Sequence, residues 1–380
     1  MANTLTNLMP DIYQALDVVS REMVGFIPAV TLDSSAERAA LNQTVRIPIT
    51  PAADAEDSTP GQLPPDTGDQ NIGNTPLSIT RSRTVPFRWG GEEERGVNTG
   101  PGYKNIRVDQ ITQAMRTLTN EIETFVGGIA RASASRAWGT PGSTPFATSL
   151  ADPAQVLKIL KDNGAPVSDL QMVIDTTAGA NLRSLAQLTK ANEAGTTELR
   201  ERGTLLDIHS FRIRESAGVS SGAGWTPGTG NGYTTNGALA AGATLIPVQA
   251  GTGTINAGDI ISLAGDPNKY VVTAALAGGN LSIGAPGLRQ AAVDGSAVTV
   301  LGAATANAAF HRSAIVLATR APALPEEGDM ATDRTLVTDP VSGMTFEFAM
   351  YPQYRRVRYE VSVAYGGAGI KPAHTALLLG

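Results

Sequence analysis

The sequence contains no cysteine, few charged residues and few aromatic residues. Of its 380 residues, 17% are charged and 5% are aromatic. The absence of cysteine excludes disulfide bonds, thiolate zinc sites and thiol nucleophiles, and it fits a reducing cytoplasm. The formal net charge of −6 argues against attraction of the whole chain to nucleic acid.

Long apolar runs are also missing. No uninterrupted apolar stretch approaches the roughly 18–20 residues that span a membrane. The N-terminal stretch MANTLTNLMPDIY has no basic region followed by an apolar one, so it does not resemble a signal peptide. We therefore expect no membrane partner.

Motifs of catalysis are absent as well. His209, His311 and His374 have no second histidine at metal-ligand spacing, and no GxSxG or phosphate-binding loop occurs. The glycine-rich GTGNG at 228–232 precedes no helical pattern, so it has no helix dipole to direct at a phosphate. The sequence predicts no catalytic, cofactor or metal site, and we do not expect an enzyme.

The strongest periodic signal predicts one long helix over 105–138. Apolar residues three and four apart form a single stripe on it, and Gly139 with Pro141 is expected to end it. Helical throughout, the segment would be roughly 50 Å long, far longer than an average helix. Its candidate core residues are Val108, Ile111, Met115, Leu118, Ile122, Phe125 and Ile129.

Two arms are predicted before this helix. Residues 4–24 have helical spacing of apolar residues and form an amphipathic arm. Short extended runs at 44–49 and 77–89 flank a long polar stretch rich in Pro, Gly and Asp. Such a segment has no core of its own, so 41–95 is predicted to be a β-hairpin arm.

Charged clusters in and near this hairpin are candidate contacts between subunits. Five acids and no base lie between Asp54 and Asp69, and three glutamates adjoin at 92–94. A solvated or ion-paired surface is the simpler interpretation, while pairing with arginines of a neighbouring subunit is the functional one. The candidates are Asp54, Glu56, Asp57, Asp66, Asp69, Glu92, Glu93, Glu94, Arg355, Arg356 and Arg358.

The remainder of the chain is predicted to be mixed α/β with a β insertion. Residues 150–214 contain helix and strand patterns, and long strands are predicted at 310–320 and 345–367, with a last one at 376–379. Between them, 216–305 is rich in Gly, Thr and Ala, and it has no charged residue before Asp259. Its short strands, at 244–248, 259–264, 269–275, 280–284 and 297–301, predict a small all-β barrel.

The order of these parts resembles the major capsid protein of tailed phages, the Hong Kong phage fold. Three stretches support the resemblance: GTGTINAGDIISLAG at 251–265, AAFHRSAIVLATR at 308–320 and DPVSGMTFEFAMYPQYRRVRYEVSVAYGG at 339–367. The inserted β region is similar to that of the Salmonella podophage gene 5 coat family.

The resemblance implies an α+β fold with five parts. These are an N-terminal arm (1–40), an extended loop (41–95), a peripheral domain with the spine helix (96–150, completed by 335–365), an axial domain (151–215, completed by 306–334 and 366–380) and an inserted β-barrel domain (216–305).

It also implies a function. The chain would self-assemble into hexamers and pentamers of an icosahedral shell in the host bacterial cytoplasm, and would end in the virion capsid. Its partners would be itself, a scaffolding protein and a portal, and the shell would enclose double-stranded DNA without sequence-specific binding; no cofactor is implied. Two features depart from the family: 41–95 has no lysine for covalent cross-linking, and 216–242 lacks the charges of the family's insertion loop.

Two other interpretations remain open. One is an encapsulin-like bacterial shell, which shares the fold but houses enzymes. The other is a β-rich protein that binds or hydrolyses carbohydrate, although 216–305 offers only Trp225, Tyr233 and Tyr270 as aromatic platforms for a sugar.

Overall fold

The computed structural model describes residues 24–49, 57, 60–61, 72–97, 102–185, 188, 207–220, 225–339 and 342–380. The predicted arm helix at 4–24 therefore lies almost wholly outside the described residues. Within these ranges the fold combines helices with two large sheets, which confirms the mixed α+β class. The helices are α1 (Gly91–Val97), α2 (Gly102–Ala132), α3 (Ala151–Asp162), α4 (Thr176–Ser184) and α5 (Ala217–Ser220).

A six-stranded sheet lies against the long helix α2. Its order is β1-β15-β18-β17-β16, and β4 pairs with β18 along the edge opposite β17. The members are β1 (Thr31–Ala39), β4 (Arg81–Gly90), β15 (Ile315–Pro322), β16 (Asp333–Thr338), β17 (Thr345–Gln353) and β18 (Arg356–Gly369).

The predicted hairpin arm contains a shorter hairpin than expected. Its two strands are β2 (Thr44–Ile49) and β3 (Gly73–Ser78), paired from Thr44↔Ser78 to Ile49↔Gly73. The extended run predicted at 77–89 is interrupted at Ile79, which is fully buried. Its second half is β4, which pairs with β18 and not with β2, because the apolar alternation of 85–89 faces the main core.

An eleven-stranded sheet contains the rest of the strands. Its order is β10-β13-β8-β9-β12-β11-β5-β19-β14-β6-β7. The members are β5 (Arg136–Trp138), β6 (Leu170–Ile174), β7 (Phe211–Glu215), β8 (Tyr233–Thr235), β9 (Leu245–Gln249), β10 (Ile260–Leu263), β11 (Lys269–Ala277), β12 (Asn280–Ile283), β13 (Ala297–Val300), β14 (Ala306–His311) and β19 (Thr375–Leu379).

Six of these strands, β8 to β13, close into a barrel. The pairing of β10 with β11 completes the ring, so a barrel is present where the sequence predicts one. The barrel is not separate from the sheet, because Lys269 and Tyr270 of β11 pair with Ala137 and Arg136 of β5.

The barrel encloses its own apolar cluster, to which only some apolar residues of the predicted strands contribute. Leu245 is 51% exposed because it points outward from β9, and Ile260 and Val271 face the main core. Tyr233, Ile255 and Leu288, which lie outside the predicted strands, complete the interior with Tyr270.

The long helix is shorter than predicted at its C-terminal end. It stops at Ala132, and 136–138 form β5, which is held between β11 and β19. At the stop, the Ser133 side chain donates to the Ile129 carbonyl oxygen at 2.7 Å. Pairing with two distant strands outweighs the local helical pattern of 133–138, which sequence periodicity could not show.

Two long predicted strands are each divided. Residues 310–320 break at a 3₁₀ turn, Arg312–Ala314, so that β14 lies in the larger sheet and β15 in the smaller. The segment 306–334, assigned as a whole to the axial part, is therefore shared between the two sheets. Residues 345–367 form a hairpin, β17 and β18, whose turn contains Arg355 with a positive φ of 57°.

Candidate functional site

The outer end of the six-stranded sheet carries a concentration of charge. The turn between β17 and β18 presents Arg355 and Arg356, and α1 presents Glu92, Glu93 and Glu94 beside it. These five residues line one cavity of about 1080 Å³, together with Arg88 and Trp89. We call this region the charged tip. The structure thus brings together most of the described charged candidates from the sequence.

Local geometry explains how the acidic side of the tip is held. The Glu93 carboxylate accepts from the backbone N–H of Gly90 at 2.7 Å, which fixes the start of α1. Acidic residues in the first turn of a helix are also favoured by its dipole. Glu92 and Glu93 remain exposed, so their charges face outward.

The tip also presents a large aromatic side chain. Tyr354 precedes Arg355 in the turn and is 89% exposed. Fully exposed tyrosine beside arginine is typical of contact surfaces, since both residue types are enriched where proteins bind one another.

The other predicted contact residues do not join the tip. Arg358 pairs with Glu360 on its own strand and lines a second cavity, in which none of the three glutamates of the tip takes part. Asp57 is exposed, while Asp54, Glu56, Asp66 and Asp69 lie outside the described residues.

The apolar stripe of α2 packs against the closing strands. Ile111, Met115, Leu118 and Ile122 are at most 1% exposed and share a cluster with β17 and β18. Phe125 is half-buried and meets Tyr365 edge-on, with ring centroids 5.2 Å apart. The side chain of Val108 lies outside the described residues.

In its second half the buried face of α2 becomes wider. Val126 and Ala130 are fully buried, and Ile129 is only half-buried. The buried face widens because residues 24–30 and the barrel strand β11 also pack against this half of the helix.

Glu123 anchors the N-terminal segment to this helix. Its carboxylate accepts backbone N–H bonds from Gly25 at 2.7 Å, Phe26 at 2.6 Å and Ile27 at 3.0 Å. The hydroxyl of Ser216, where the insertion begins, donates to it at 2.7 Å. Burial raises the pKa of the Glu123 carboxyl, and the hydrogen bonds oppose that rise.

Arg131 ties the same helix to the barrel. Its Nε donates to the Gly258 carbonyl oxygen at 3.0 Å, and its NH1 donates to that of Ala304 at 2.9 Å. The guanidinium lies 3.4 Å from the centre of the Trp225 ring. Burial lowers the pKa of Arg131 to about 10, and the charge of Asp259 opposes this.

Sequence reasoning missed both of these residues. The available signal was polarity on a buried face: Thr119, Glu123 and Arg131 are all less than 9% exposed. A charge at a position that helical spacing places beside buried residues indicates a specific buried partner.

The described residues hold no group of three His, Asp or Glu side chains that could bind a metal ion. Among the same residues, no helix combines the length and apolar character needed to cross a membrane. His209 is exposed, and His311 and His374 lie with ring centroids 6.4 Å apart.

Neither protein-family models nor curated protein sequences match this chain. Among solved structures, similarity extends to the capsid of the cyanophage P-SCSP1u (12% identity, 94% of this chain and 88% of that chain, TM-score 0.48). It extends also to a virus-like particle from Pyrococcus furiosus (10% identity, 98% of this chain and 100% of that chain, TM-score 0.47). A third similar structure is the mature capsid of bacteriophage PhiM1 (14% identity, 93% of this chain and 86% of that chain, TM-score 0.46).

Proposed function

We propose that this chain is the structural subunit of a phage-type capsid shell and that it acts by self-assembly, not by catalysis. The observation that carries the proposal is the combination of a 31-residue helix, two sheets joined through it, and a hairpin whose strand β2 is only partly covered by the described residues. Such a subunit has extended edges and arms for neighbours to bury.

The hairpin of β2 and β3 supports the proposal most directly. Val45, Ile47 and Ile49 alternate along β2, yet each is only half-buried. Leu41 and Ile72, near its two ends, are 55% and 66% exposed. Since a two-stranded ribbon is marginal alone, a second copy of the chain is the cover that we infer.

The division of labour within the chain follows from this proposal. Residues 1–40 and 41–95 act as arms, α2 and the six-stranded sheet form the peripheral part, and the larger sheet forms the axial part with the inserted barrel. The shell encloses double-stranded DNA without reading its sequence. A scaffolding protein and a portal are its further partners during assembly.

The charged tip is the contact that we propose between subunits. Because one surface carries both Glu92–Glu94 and Arg355–Arg356, two copies can meet with opposite charges facing each other. Exposed ion pairs contribute little singly, so the tip sets orientation more than affinity.

Charge reversal tests this contact. The double variant Arg355→Glu and Arg356→Glu should remain folded but fail to assemble, as measured by sedimentation velocity beside a circular-dichroism melt. Adding Glu92→Lys and Glu93→Lys to the same chain should restore assembly. The matched control, Lys158→Glu with Lys161→Glu on the exposed face of α3, should assemble normally.

Two results would contradict the proposed contact. One is normal assembly of the arginine double variant. The other is an equal loss of assembly in the α3 control, which would show sensitivity to net charge alone.

A further inference from the structure

One end of the eleven-stranded sheet gathers basic side chains from separate segments. At this end β14 finishes, and β6, β7 and β19 begin. The basic patch, as we define it, consists of Arg212, Arg214, His311, Arg312, Lys371 and His374.

These groups lie close enough to oppose one another. Burial lowers the pKa of Arg214, and the charges of Arg212 and Arg312 lower it further. Burial likewise lowers the pKa of His374, with added effects from Lys371 and His311. Crowding of like charges costs stability, and such a cost is typical of a surface that has a binding role.

Acidic groups at this end only partly balance the patch. Asp169 and Asp207 are the carboxylates that act on Arg214. Asp169 is already engaged, since its Oδ2 lies 3.1 Å from Arg312 Nε and its Oδ1 accepts from Gln171 at 2.6 Å. Within the described part of the chain, four arginine and lysine charges thus face two carboxylates, and both Arg212 and Lys371 are exposed.

We propose that the basic patch binds the phosphate backbone of the nucleic acid that the shell encloses. The inference rests on the proposed shell function and assigns its DNA contact to these residues. Guanidinium and ammonium groups are the usual partners of phosphate. In a chain of net charge −6, a local patch gives a contact at one place without attraction over the whole surface.

The geometry of the patch fits a polyanion. Its side chains come from β7, from the end of β14 and the 3₁₀ turn after it, and from the segment that leads into β19. The four neighbouring strands β7, β6, β14 and β19 span about 14 Å at the usual strand spacing. Duplex DNA carries one charge per about 1.7 Å of its axis, so several phosphates can face the patch at once. No base-reading element is required, in agreement with contact that ignores sequence.

Duplex binding by the full-length subunit tests the proposal. Fluorescence anisotropy with a labelled duplex would be measured in unassembled protein over a series of salt concentrations. The double variant Arg212→Gln and Lys371→Gln should bind more weakly, and the slope of log affinity against log salt should fall by about 2. The control Lys158→Gln with Arg289→Gln replaces exposed cations outside the patch, and it should leave both the affinity and the salt slope unchanged.

Protonation gives a second measurement. A bound phosphate raises the pKa of neighbouring histidines, so binding takes up protons and affinity should increase as pH falls from about 8 to about 6. Nuclear magnetic resonance titration of the His374 ring, whose pKa burial lowers in the free protein, should show that pKa rising when duplex is added.

Three results would overturn the proposal: no duplex binding by the wild-type subunit, an equal loss in the control variant, or a His374 pKa that the duplex leaves unmoved. Competition that favours a synthetic acidic peptide of residues 54–69 over duplex would also overturn it, in favour of a contact between subunits. Electron microscopy of the same preparations distinguishes failure of the DNA contact from failure of the proposed shell function. If subunits that do not bind duplex still form shells, only the DNA contact is refuted.

Discussion

At the scale of single residues, two buried charges on α2 connect parts of the chain that are far apart in sequence. Glu123 accepts hydrogen bonds from three successive backbone N–H groups of 25–27 and from Ser216. Arg131 donates to the carbonyl of Gly258, which precedes β10, and to that of Ala304, which follows the last barrel strand. Gly258 has a φ of +88°, and a Cβ there would lie 2.9 Å from Trp225, so this contact requires glycine.

Replacing Glu123 with Gln should release the N-terminal segment. The NH2 group of the glutamine would face backbone N–H groups of 25–27, and neither group can accept a hydrogen bond. Each buried donor left without a partner costs about 1–3 kcal/mol. Hydrogen exchange at the amides of 25–27 should accelerate, and unfolding should require less denaturant. The matched control is Glu121→Gln on the same helix, whose partly exposed carboxylate pairs with Arg81 and Arg83 and accepts from the Tyr365 hydroxyl; it should leave the 25–27 amides as protected as in the unchanged protein.

Unchanged protection of the 25–27 amides in the Glu123 variant would contradict the anchor. An equal effect in the Glu121 variant would also contradict it, because the loss would then follow from any change of charge on this helix.

Replacing Leu118 with Asp tests whether the helix stripe is core. Leu118 is 1% exposed, so an unpaired carboxylate there should cost several kcal/mol and yield insoluble protein. The control Asn120→Asp, exposed on the same helix, should remain soluble with a near-normal melt. Soluble Leu118→Asp protein that still assembles would show that the stripe does not support the fold.

At the scale of elements, the sequence predicted the helices and strands whose apolar periodicity lies within their own residues. The stripe of α2 and the short strands of the barrel are of this kind. The strand β1 was missed because TLDSSAERA does not alternate, and its pairing partner β15 lies nearly the whole chain away. The strand β5 was missed because two distant strands impose it on a helical sequence.

The residues of the candidate site were likewise predictable only in part from the sequence. Runs of charge, such as Glu92–Glu94, are visible in sequence, and their approach to Arg355 follows from the β4–β18 pairing. The basic patch was not predicted, because its members come singly from strand ends that only the sheet order brings together.

The inserted barrel provides a prediction at this scale. A fragment of residues 216–306 should fold alone, with β-type circular dichroism and a cooperative melt, because the ring of β8 to β13 is closed and has its own apolar cluster. It should be less stable than in the whole chain, since it lacks the pairing with β5 and the contact of Arg131 with Trp225. The control Ile246→Asp, at a fully buried position, should abolish the melt.

A disordered fragment of 216–306 would contradict this autonomy. It would mean that the β5 edge and Arg131 are needed for the barrel to close, and that the insertion folds only as part of the larger sheet.

At the scale of the whole molecule, two surface features suit contact with copies of the same chain. The hairpin exposes apolar residues at both ends, and the charged tip carries opposite charges side by side. Both features support the proposed self-association, which is the central claim.

Negative-stain electron microscopy of the purified full-length protein tests that claim most directly. The account predicts closed spherical shells of uniform diameter, or the hexameric and pentameric rings from which they form, at micromolar concentration and neutral pH. A field of dispersed monomers that persists as protein concentration is raised would contradict it.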